Sequence, residues 1–461
     1  MSTPPPTDSM YAAHEKIYPR EIKGRYQNIR KVMVFVLLGL FYILPWLRID
    51  GNPAVLFDLP ARQFHILWLT FWPQDFVYLT LLLIVSAVAL FYVTALAGRV
   101  WCGYACPQTV YTEVFLWMEQ WTEGKRAKRM KLDKGPWNAE KILRKGGKQI
   151  LWLSFALWTG FTFVGFFVPI DDLLTRAVAF ELGPWETFWS LFYGFATYGN
   201  AGFLREQVCL YMCPYARFQG AMFDRETLVI SYDEQRGEPR GGRKRGIDPK
   251  TRGLGDCIDC NLCVQVCPTG IDIRKGLQYE CIACGACIDA CDQVMDKMNY
   301  PRGLVRYTTE NALEGKPSRI IRPRTILYTV LLLALFAAGT TGLVLREPVR
   351  LDILTDRNTL YRETTEGLIE NSYTIKLTNM SRDAQTFAFT ASGPENVIIE
   401  TEPTRVTLDA GETRTLAARI QLDPIYAQGV GGDDVTITAR SVGEKTIIAN
   451  ETTRFRTPLG R

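Results

Sequence analysis

Apolar residues along the 461-residue chain gather into five long runs, at 32–47, 76–97, 150–170, 185–204 and 325–345. A bilayer core takes about 20 helical residues, so the second, third and fifth runs predict membrane-spanning helices. The first run is short and ends at Pro45, and the fourth is diluted by Gly194, Gly199, Asn200 and Gly202. Charge supports counting both. Lysine and arginine crowd the arm before the first run (Lys16, Arg20, Lys23, Arg25, Arg30, Lys31), the loop from Lys125 to Lys148, and the segment from Arg205 to Arg324. The connections at 48–75 and 171–186 are poor in them. Five spans then satisfy the positive-inside rule with the N-terminus in the cytoplasm and the C-terminus outside. No small-residue cleavage site follows the first run, so it is expected to be a helix and not a cleaved signal peptide. The aromatic stretch 64–72 is too short to span and is expected at the outer interface.

Beyond the fifth run the period changes from helical to twofold. Leu416, Ala418, Ile420 and Leu422 alternate with polar or small residues, as do Tyr373, Ile375 and Leu377, and Phe387 with Phe389. Turn signals at Asp409-Ala-Gly411 and Gly431-Gly-Asp433 separate such runs. About seven strands in roughly 110 residues fit an immunoglobulin-like sandwich. Outside the membrane, such a domain suits either docking to a periplasmic partner or passive stabilisation.

All twelve cysteines precede that domain, and eight fall in two consecutive runs. The first is Cys257-x2-Cys260-x2-Cys263-x3-Cys267, followed by Pro268; the second is Cys281-x2-Cys284-x2-Cys287-x3-Cys291. In such runs three x2-spaced thiolates hold one cubane 4Fe-4S cluster and the fourth cysteine reaches to the other. The expected ligand sets are Cys257, Cys260, Cys263 and Cys291 for one cluster, and Cys281, Cys284, Cys287 and Cys267 for the second. Zinc ribbons also use Cys-x2-Cys pairs, but they stop at two pairs per metal and have no use for a third x2 cysteine. Disulfides belong to oxidising compartments, and this segment lies on the cytoplasmic side of the predicted topology. Asp256, Asp259, Asp289 and Asp292 stand beside the ligands in sequence; turned toward the clusters, their charge would favour the oxidised forms.

The other four cysteines form an internal repeat. Cys102-Gly-Tyr-Ala-Cys106-Pro107 follows the second apolar run and Cys209-Leu-Tyr-Met-Cys213-Pro214 the fourth, each led in by an arginine, Arg99 or Arg205. Both pairs are expected at the cytoplasmic face. On a continuous helix an i, i+4 pair puts two thiols on one face, about 5–6 Å apart at Cβ. Four soft thiolates suit Cu(I), another metal or a redox-active dithiol couple. Mere apolar fillers would have no reason to repeat the same spacing and the same Cys-Pro ending. The two histidines, His14 and His65, fall on opposite sides of the predicted membrane, which excludes a bis-histidine haem. No Cys-x2-Cys-His offers covalent haem attachment, and no Gly-rich fingerprint opens a dinucleotide-binding unit. Segment 236–252 reads as a mobile basic linker, suited to an acidic electron carrier, to anionic headgroups, or to solvent alone.

Taken in order, the five runs, the paired Cys-x3-Cys-Pro repeats, the two-cluster segment and the outward β tail resemble the FixG/RdxA/CcoG family. The likeness extends over nearly the whole chain, from Tyr18 to Pro458. Family members are accessory factors for assembly of cbb3-type cytochrome c oxidase. The resemblance implies a multi-domain protein of the bacterial inner membrane that turns Cu(II) into Cu(I) for that oxidase. Its expected layout is a cytoplasmic arm (1–31), a four-span α-helical membrane domain with both repeats (32–222), and a cytoplasmic ferredoxin-like domain with two 4Fe-4S clusters (223–322). A fifth transmembrane helix (323–345) and a periplasmic immunoglobulin-like β-sandwich (346–461) complete it. By position, Cys102, Cys106, Cys209 and Cys213 match the family's membrane-end pairs, the candidate catalytic and copper-binding residues. The implied partners are the oxidase assembly machinery, copper-delivery proteins, a cytoplasmic electron donor and membrane lipid, with no nucleic acid. One departure is Asp292, which follows Cys291 where the usual ending has proline. A polyferredoxin-type quinol dehydrogenase, passing electrons to a partner protein, is the alternative; the large outward β domain fits an assembly factor better. A copper chaperone without redox activity would leave two clusters without a role.

Overall fold

Three of the five apolar runs lie in helices long and apolar enough to cross a membrane, at 25–46, 73–97 and 323–344. The computed structural model describes residues 16–49, 51–356, 360–381, 383–426, 432–443 and 447–458, so His14 and Gly431 lie outside the described residues. The chain divides into two units, residues 1–56 with 82–335, and residues 57–81 with 336–461.

The first unit contains α1 (Arg25–Ile43), α2 (Phe76–Ala97) across the unit boundary, α3 (Val100–Tyr104), α4 (Pro107–Glu123), α5 (Arg126–Lys134), α6 (Ala139–Val164), α7 (Ile170–Val178), α8 (Pro184–Thr197) and α9 (Pro214–Met222). Pro45 does not stop the first run, because residues 44–46 continue it as a 3₁₀ turn. The third run differs from expectation. Its helix, α6, starts well upstream in basic sequence and ends at Val164, and a new helix opens at Ile170 after Pro169. Lys148 and Gln149 within α6 dilute its apolar stretch. The fourth run is the 14-residue α8 continued by a π-helical segment, Tyr198–Leu204. The two helices approach very closely: a Cβ on Gly160 would fall 2.0 Å from the Ser190 carbonyl oxygen, and Gly194 faces the Ala156 carbonyl in return.

The eight-cysteine segment is clamped by β1 (Val229–Tyr232) and β2 (Val305–Thr308), antiparallel with Ile230 opposite Tyr307. Between them stand α10 (Leu262–Gln265) and α11 (Ala286–Met298), each just past a cysteine-bearing loop. Ile230, Ile288, Met295, Leu304 and Val305 form their common core. Segment 236–252 is not a detached linker. The Arg243 guanidinium donates to the Gly255 carbonyl at 2.7 Å and to the Tyr300 hydroxyl at 2.9 Å, and Arg236 pairs with Asp256 at 2.6 Å. The last long helix, α12 (Pro323–Val344), crosses the unit boundary.

The second unit is a β-sandwich. Strands β3 (Val349–Thr355), β4 (Ile369–Asn379), β5 (Gln385–Ser392), β6 (Ile398–Glu402), β7 (Arg405–Leu408), β8 (Thr413–Leu422), β9 (Asp433–Ser441) and β10 (Ile448–Phe455) form two antiparallel sheets, β6-β8-β4-β3 and β7-β5-β9-β10. A two-residue strand at 362–363 pairs with β4 as well. The alternating residues meet in the middle: Ile375, Leu377 and Ile420 from one sheet, Phe387, Val435 and Ile437 from the other, all fully buried. The stretch 64–72 is a hairpin, with strands 63–66 and 69–71, ending in a buried Trp72. The Trp72 indole donates to the Met380 carbonyl at 3.3 Å and lies against Gly411, whose φ of 72° and lack of a side chain the contact requires. Arg346 clamps Asp75 in two places, at 2.5 and 3.2 Å, and Asp75 is 7% exposed. Such a bidentate pair fixes direction as well as distance.

Removing one member of a buried pair costs about 3–5 kcal/mol, because a charge is left without its partner. Asp75→Ala in the full-length protein should therefore loosen hairpin 63–71 and speed proteolysis there by more than tenfold. Unchanged protection would show that Trp72 alone holds it.

Candidate functional site

The predicted ligand sets are brought together as two neighbouring cavities. Cys257, Cys260, Cys263 and Cys291 ring one, beside Tyr232 and Arg274. Cys267, Cys281, Cys284 and Cys287 ring the other, beside Ile230 and Ile273, and Cys263 borders both. The loops turn sharply through left-handed residues, at Asp259, Asn261, Ala283 and Gly285. Among the described residues no three His, Cys, Asp or Glu side chains converge as a single ion's ligands would. A cubane cluster takes four thiolates, and each cavity is bordered by one complete set of four. Burial pushes the thiols up, Cys281 and Cys291 to about 12 and Cys263 to about 11, with Cys287 well above the ordinary thiol range. Metal binding at these four thiols therefore exchanges protons for metal. Cys260 is exposed while Cys257 and Cys284 are buried, so the first set is the more open one.

The neighbouring carboxylates do not stand as free charges at the clusters. Asp256 pairs with Arg236, and Asp259 with Arg274 at 2.5 Å. Asp292 accepts from the Gly303 amide at 3.0 Å, anchoring the loop that returns to β2. Asp289 accepts from the Gln27 amide at 2.9 Å and the Tyr26 amide at 3.3 Å. The cluster-bearing α11 thus supplies the anion that α1 lacks in its own first turn, where free amides carry partial positive charge.

Neither Cys-x3-Cys pair lies on a continuous helix. Cys102 is inside α3, which ends at Tyr104, and Cys106 is the extended N-cap of α4 with Pro107 at its first position. Cys209 sits in a π-helical turn, Val208–Met212, and Cys213 is the extended N-cap of α9 with Pro214 first. Proline therefore starts each following helix, where its missing N–H is not needed. The four thiols influence one another: burial, with Cys106 and Cys209 nearby, pushes Cys102 up to about 12, and burial with Cys106 and Cys213 nearby pushes Cys209 up to about 11. The Cys102 thiol donates to the buried Gln219 at 3.4 Å. Gln108, next to Cys106-Pro107, donates to the carbonyls of Asn200 (2.9 Å) and Arg205 (3.0 Å), tying the first repeat to the approach of the second.

The leading arginines are structural. Arg99 is buried and donates to the backbone carbonyls of Tyr279, just before Cys281, and Ala216, just after Cys213. Arg205 pairs with Glu119 of α4 at 2.9 Å. Burial would raise the Glu119 carboxyl, but Arg205, Lys16, Arg129 and Lys148 around it hold it down to about 2. Two residues unremarked in the sequence bring the repeat onto the second ligand set. Gly103 packs on the backbone of Ile282–Cys284, and the Tyr104 hydroxyl donates to the Cys284 carbonyl at 3.2 Å while meeting Tyr307 at 3.3 Å. A small chamber of about 40 Å³ lies on the other side, lined by Cys209, Glu206, Arg205 and Glu113 together with Pro268 and Thr269 of the ligand segment.

Three family models match the chain. A 4Fe-4S dicluster domain matches residues 204–310, an Ig-like fold at the C-terminus of FixG matches 339–458, and a 4Fe-4S binding domain matches 79–129, which contains Cys102 and Cys106. The chain is 40% identical to the protein RdxB of Cereibacter sphaeroides over 426 residues, covering 89% of each. It is 37% identical to the nitrogen fixation protein FixG of Rhizobium meliloti, over 83% of this chain and 80% of that one. The RdxA protein of C. sphaeroides is 40% identical over 84% of both chains.

A Cβ on residue 103 would lie 2.7 Å from the Ile282 carbonyl oxygen and 3.0 Å from Cys284 Cα, so the ligand loop would have to move. Gly103→Ala should lower iron and acid-labile sulfide toward about half, through loss of one of two centres. Gly146→Ala, with nothing within 4 Å of its Cβ, is the control and should leave both unchanged. Full iron in the Gly103 variant would mean that the contact does not shape the ligand loop.

Proposed function

The chain belongs to the FixG/RdxA family, an iron–sulfur electron-transfer family, and on that premise we propose that it is a membrane-bound cupric reductase that converts Cu(II) to Cu(I) for assembly of a cbb3-type oxidase. The observation that carries this reading is the small chamber beside Cys209, in which Arg30, Glu113, Arg205 and Glu206 stand among a mainly apolar lining. Its 40 Å³ has room for a single ion or a water, and it touches both a membrane-end cysteine and the loop that carries Cys267.

A bound cubane cluster supplies storage of one electron at a time. The chain's own residues supply the geometry. Cys263 borders both ligand cavities and holds the two sets side by side, while the exposed Cys260 leaves the first set open to a soluble donor. Gly103, Tyr104 and Arg99 keep the first repeat against the second set. Cu(II) entering near Cys102, Cys106, Cys209 and Cys213 gains one electron, which the cytoplasmic donor loses, and leaves as Cu(I), the ion that soft thiolates match. Because burial pushes the Cys102, Cys106 and Cys209 thiols up, copper binding at them releases protons.

In the bilayer we propose five crossings, α1, α2, α6, α8 and α12, with the clusters in the cytoplasm and the sandwich in the periplasm of a bacterial inner membrane. The close approach of α6 and α8 through Gly160 and Gly194 supports including this pair, since small residues are what let membrane helices touch. Oxidase assembly factors and copper-delivery proteins are the proposed partners. A second reading rests on the 4Fe-4S binding model that covers Cys102 and Cys106. In it the four membrane-end cysteines hold a further iron–sulfur centre, and the protein passes quinol electrons onward.

Anaerobically purified protein should carry close to eight iron atoms, about four per complete ligand set. Given a strong artificial donor, it should reduce Cu(II), followed as a Cu(I)–chelator complex. Serine at all four of Cys102, Cys106, Cys209 and Cys213 should slow this more than tenfold with iron unchanged. About twelve iron atoms, falling to eight in that variant, would establish the second reading instead, and copper reduction at the native rate in the variant would overturn the role of these cysteines.

A reporter that works only in the periplasm should be active when fused after Arg461 and silent when inserted near Gly241. The opposite pattern would invert the proposed topology.

A further inference from the structure

A cavity of about 610 Å³ opens where the start of α1 meets the end of α4; it shares Arg30, Glu113 and Pro268 with the chamber beside Cys209, but its exposed cations and aromatic side chains have no part in the proposed reaction. Its volume is that of a small-molecule site. Arg20, Lys23, Arg30, Lys31, Lys125 and Arg129 line it, against two carboxylates, Glu21 and Glu113. Arg30 and Arg129 are internal: Arg30 pairs with Glu113 at 3.0 Å and Arg129 with Glu119 at 3.2 Å. The other four cations are exposed, and among the described residues none of them has a salt bridge.

The facing wall is apolar. Leu116 and Trp117 line it together with Phe35 and Trp121, which are 68% and 72% exposed. Phe35 lies on α1, a helix long and apolar enough to cross a membrane, about one turn beyond Lys31. Along α1 the order is therefore cations, then an exposed aromatic, then the apolar helix. A phospholipid presents the complementary order of phosphate, glycerol and acyl chain.

We propose that this cavity holds the headgroup of an anionic phospholipid, with its phosphate among Arg20, Lys23, Lys31 and Lys125 and its chains over Phe35 and Trp121. The proposal rests on α1 lying in a bilayer, but not on copper being the substrate. A soluble anion would match the charge and leave the aromatic side chains bare. A neutral lipid would cover the aromatics and leave four cations without counter-charge. Basic pockets beside membrane helices at the cytoplasmic face favour anionic headgroups for this reason.

The test uses the full-length holoprotein in mixed detergent micelles, with retained lipid counted by native mass spectrometry. Phosphatidylglycerol should be retained over phosphatidylcholine by about tenfold or more. Arg20→Gln, Lys23→Gln, Lys31→Gln and Lys125→Gln together should abolish that preference while the brown cluster absorbance persists. Should the fourfold variant lose its absorbance, Trp121→Ala decides, and it should weaken retention of either lipid severalfold. Lys244→Gln with Arg245→Gln, which removes exposed cations outside the cavity lining, should leave the preference intact. Equal retention of the two lipids by the native protein, or loss of preference in the Lys244/Arg245 control, overturns the proposal. Displacement of the phosphatidylglycerol by a short-chain quinol would also overturn it and make the cavity a quinol site.

Discussion

Where the first Cys-x3-Cys repeat meets the loop of Cys281 and Cys284 there is room for backbone but not for a side chain. The absence of a Cβ at Gly103 sets that distance, and neighbouring contacts depend on it. Tyr104 can then reach the Cys284 carbonyl, and Arg99 can satisfy carbonyls on both the ligand segment and α9. Close packing of this kind is stiff, since interiors near crystal density tolerate little displacement. The second ligand set and the first Cys-x3-Cys repeat therefore form one body, and in the proposed reaction the distance an electron would cross between them is fixed by the chain and not by a moving loop.

A second rigid feature lies behind it. Glu119 and Glu123 of α4 are almost wholly buried, yet both are surrounded by cations: Arg129 and Arg205 at Glu119, Lys145 and Lys148 at Glu123. Buried pairs contribute little net stability against an apolar alternative, but they penalise any other arrangement heavily. Here they fix α4, α5, α6 and the approach to the second repeat in a single register. The basic residues on which the proposed membrane orientation rests are partly the same residues that hold these helices together.

Much of this was legible in the sequence. Cysteine spacing alone predicted the two ligand sets, and two separate cavities lined by those sets appear in the fold. The twofold alternation at 373–377 and 416–422 identified strands whose residues are buried as expected, because a pleated strand leaves only two faces to choose from. The differences have two causes, one local and one distant. The i, i+4 reading of Cys102 and Cys106 assumed one helix, whereas Pro107 begins a second. The four carboxylates near the ligands were close in sequence, but arginines from elsewhere and the amides of α1 and Gly303 claimed them. Segment 236–252 looked like a linker by composition, yet Arg243 and Arg236 pin it down. In the last two cases a distant partner decided the outcome, and local pattern carries no information about distant partners. Gly103 was invisible for the same reason.

The bond from Asp289 to the start of α1 spans 262 residues of sequence. At ordinary rates of synthesis, roughly 5–20 residues per second, α1 leaves the ribosome tens of seconds before its acceptor exists. Throughout that interval the amides of Tyr26 and Gln27 lack this acceptor. The carboxylate arrives on α11, whose own position follows from the ligand loop ahead of it. The first of the described helices thus gains its N-terminal acceptor only after the iron–sulfur segment has been made.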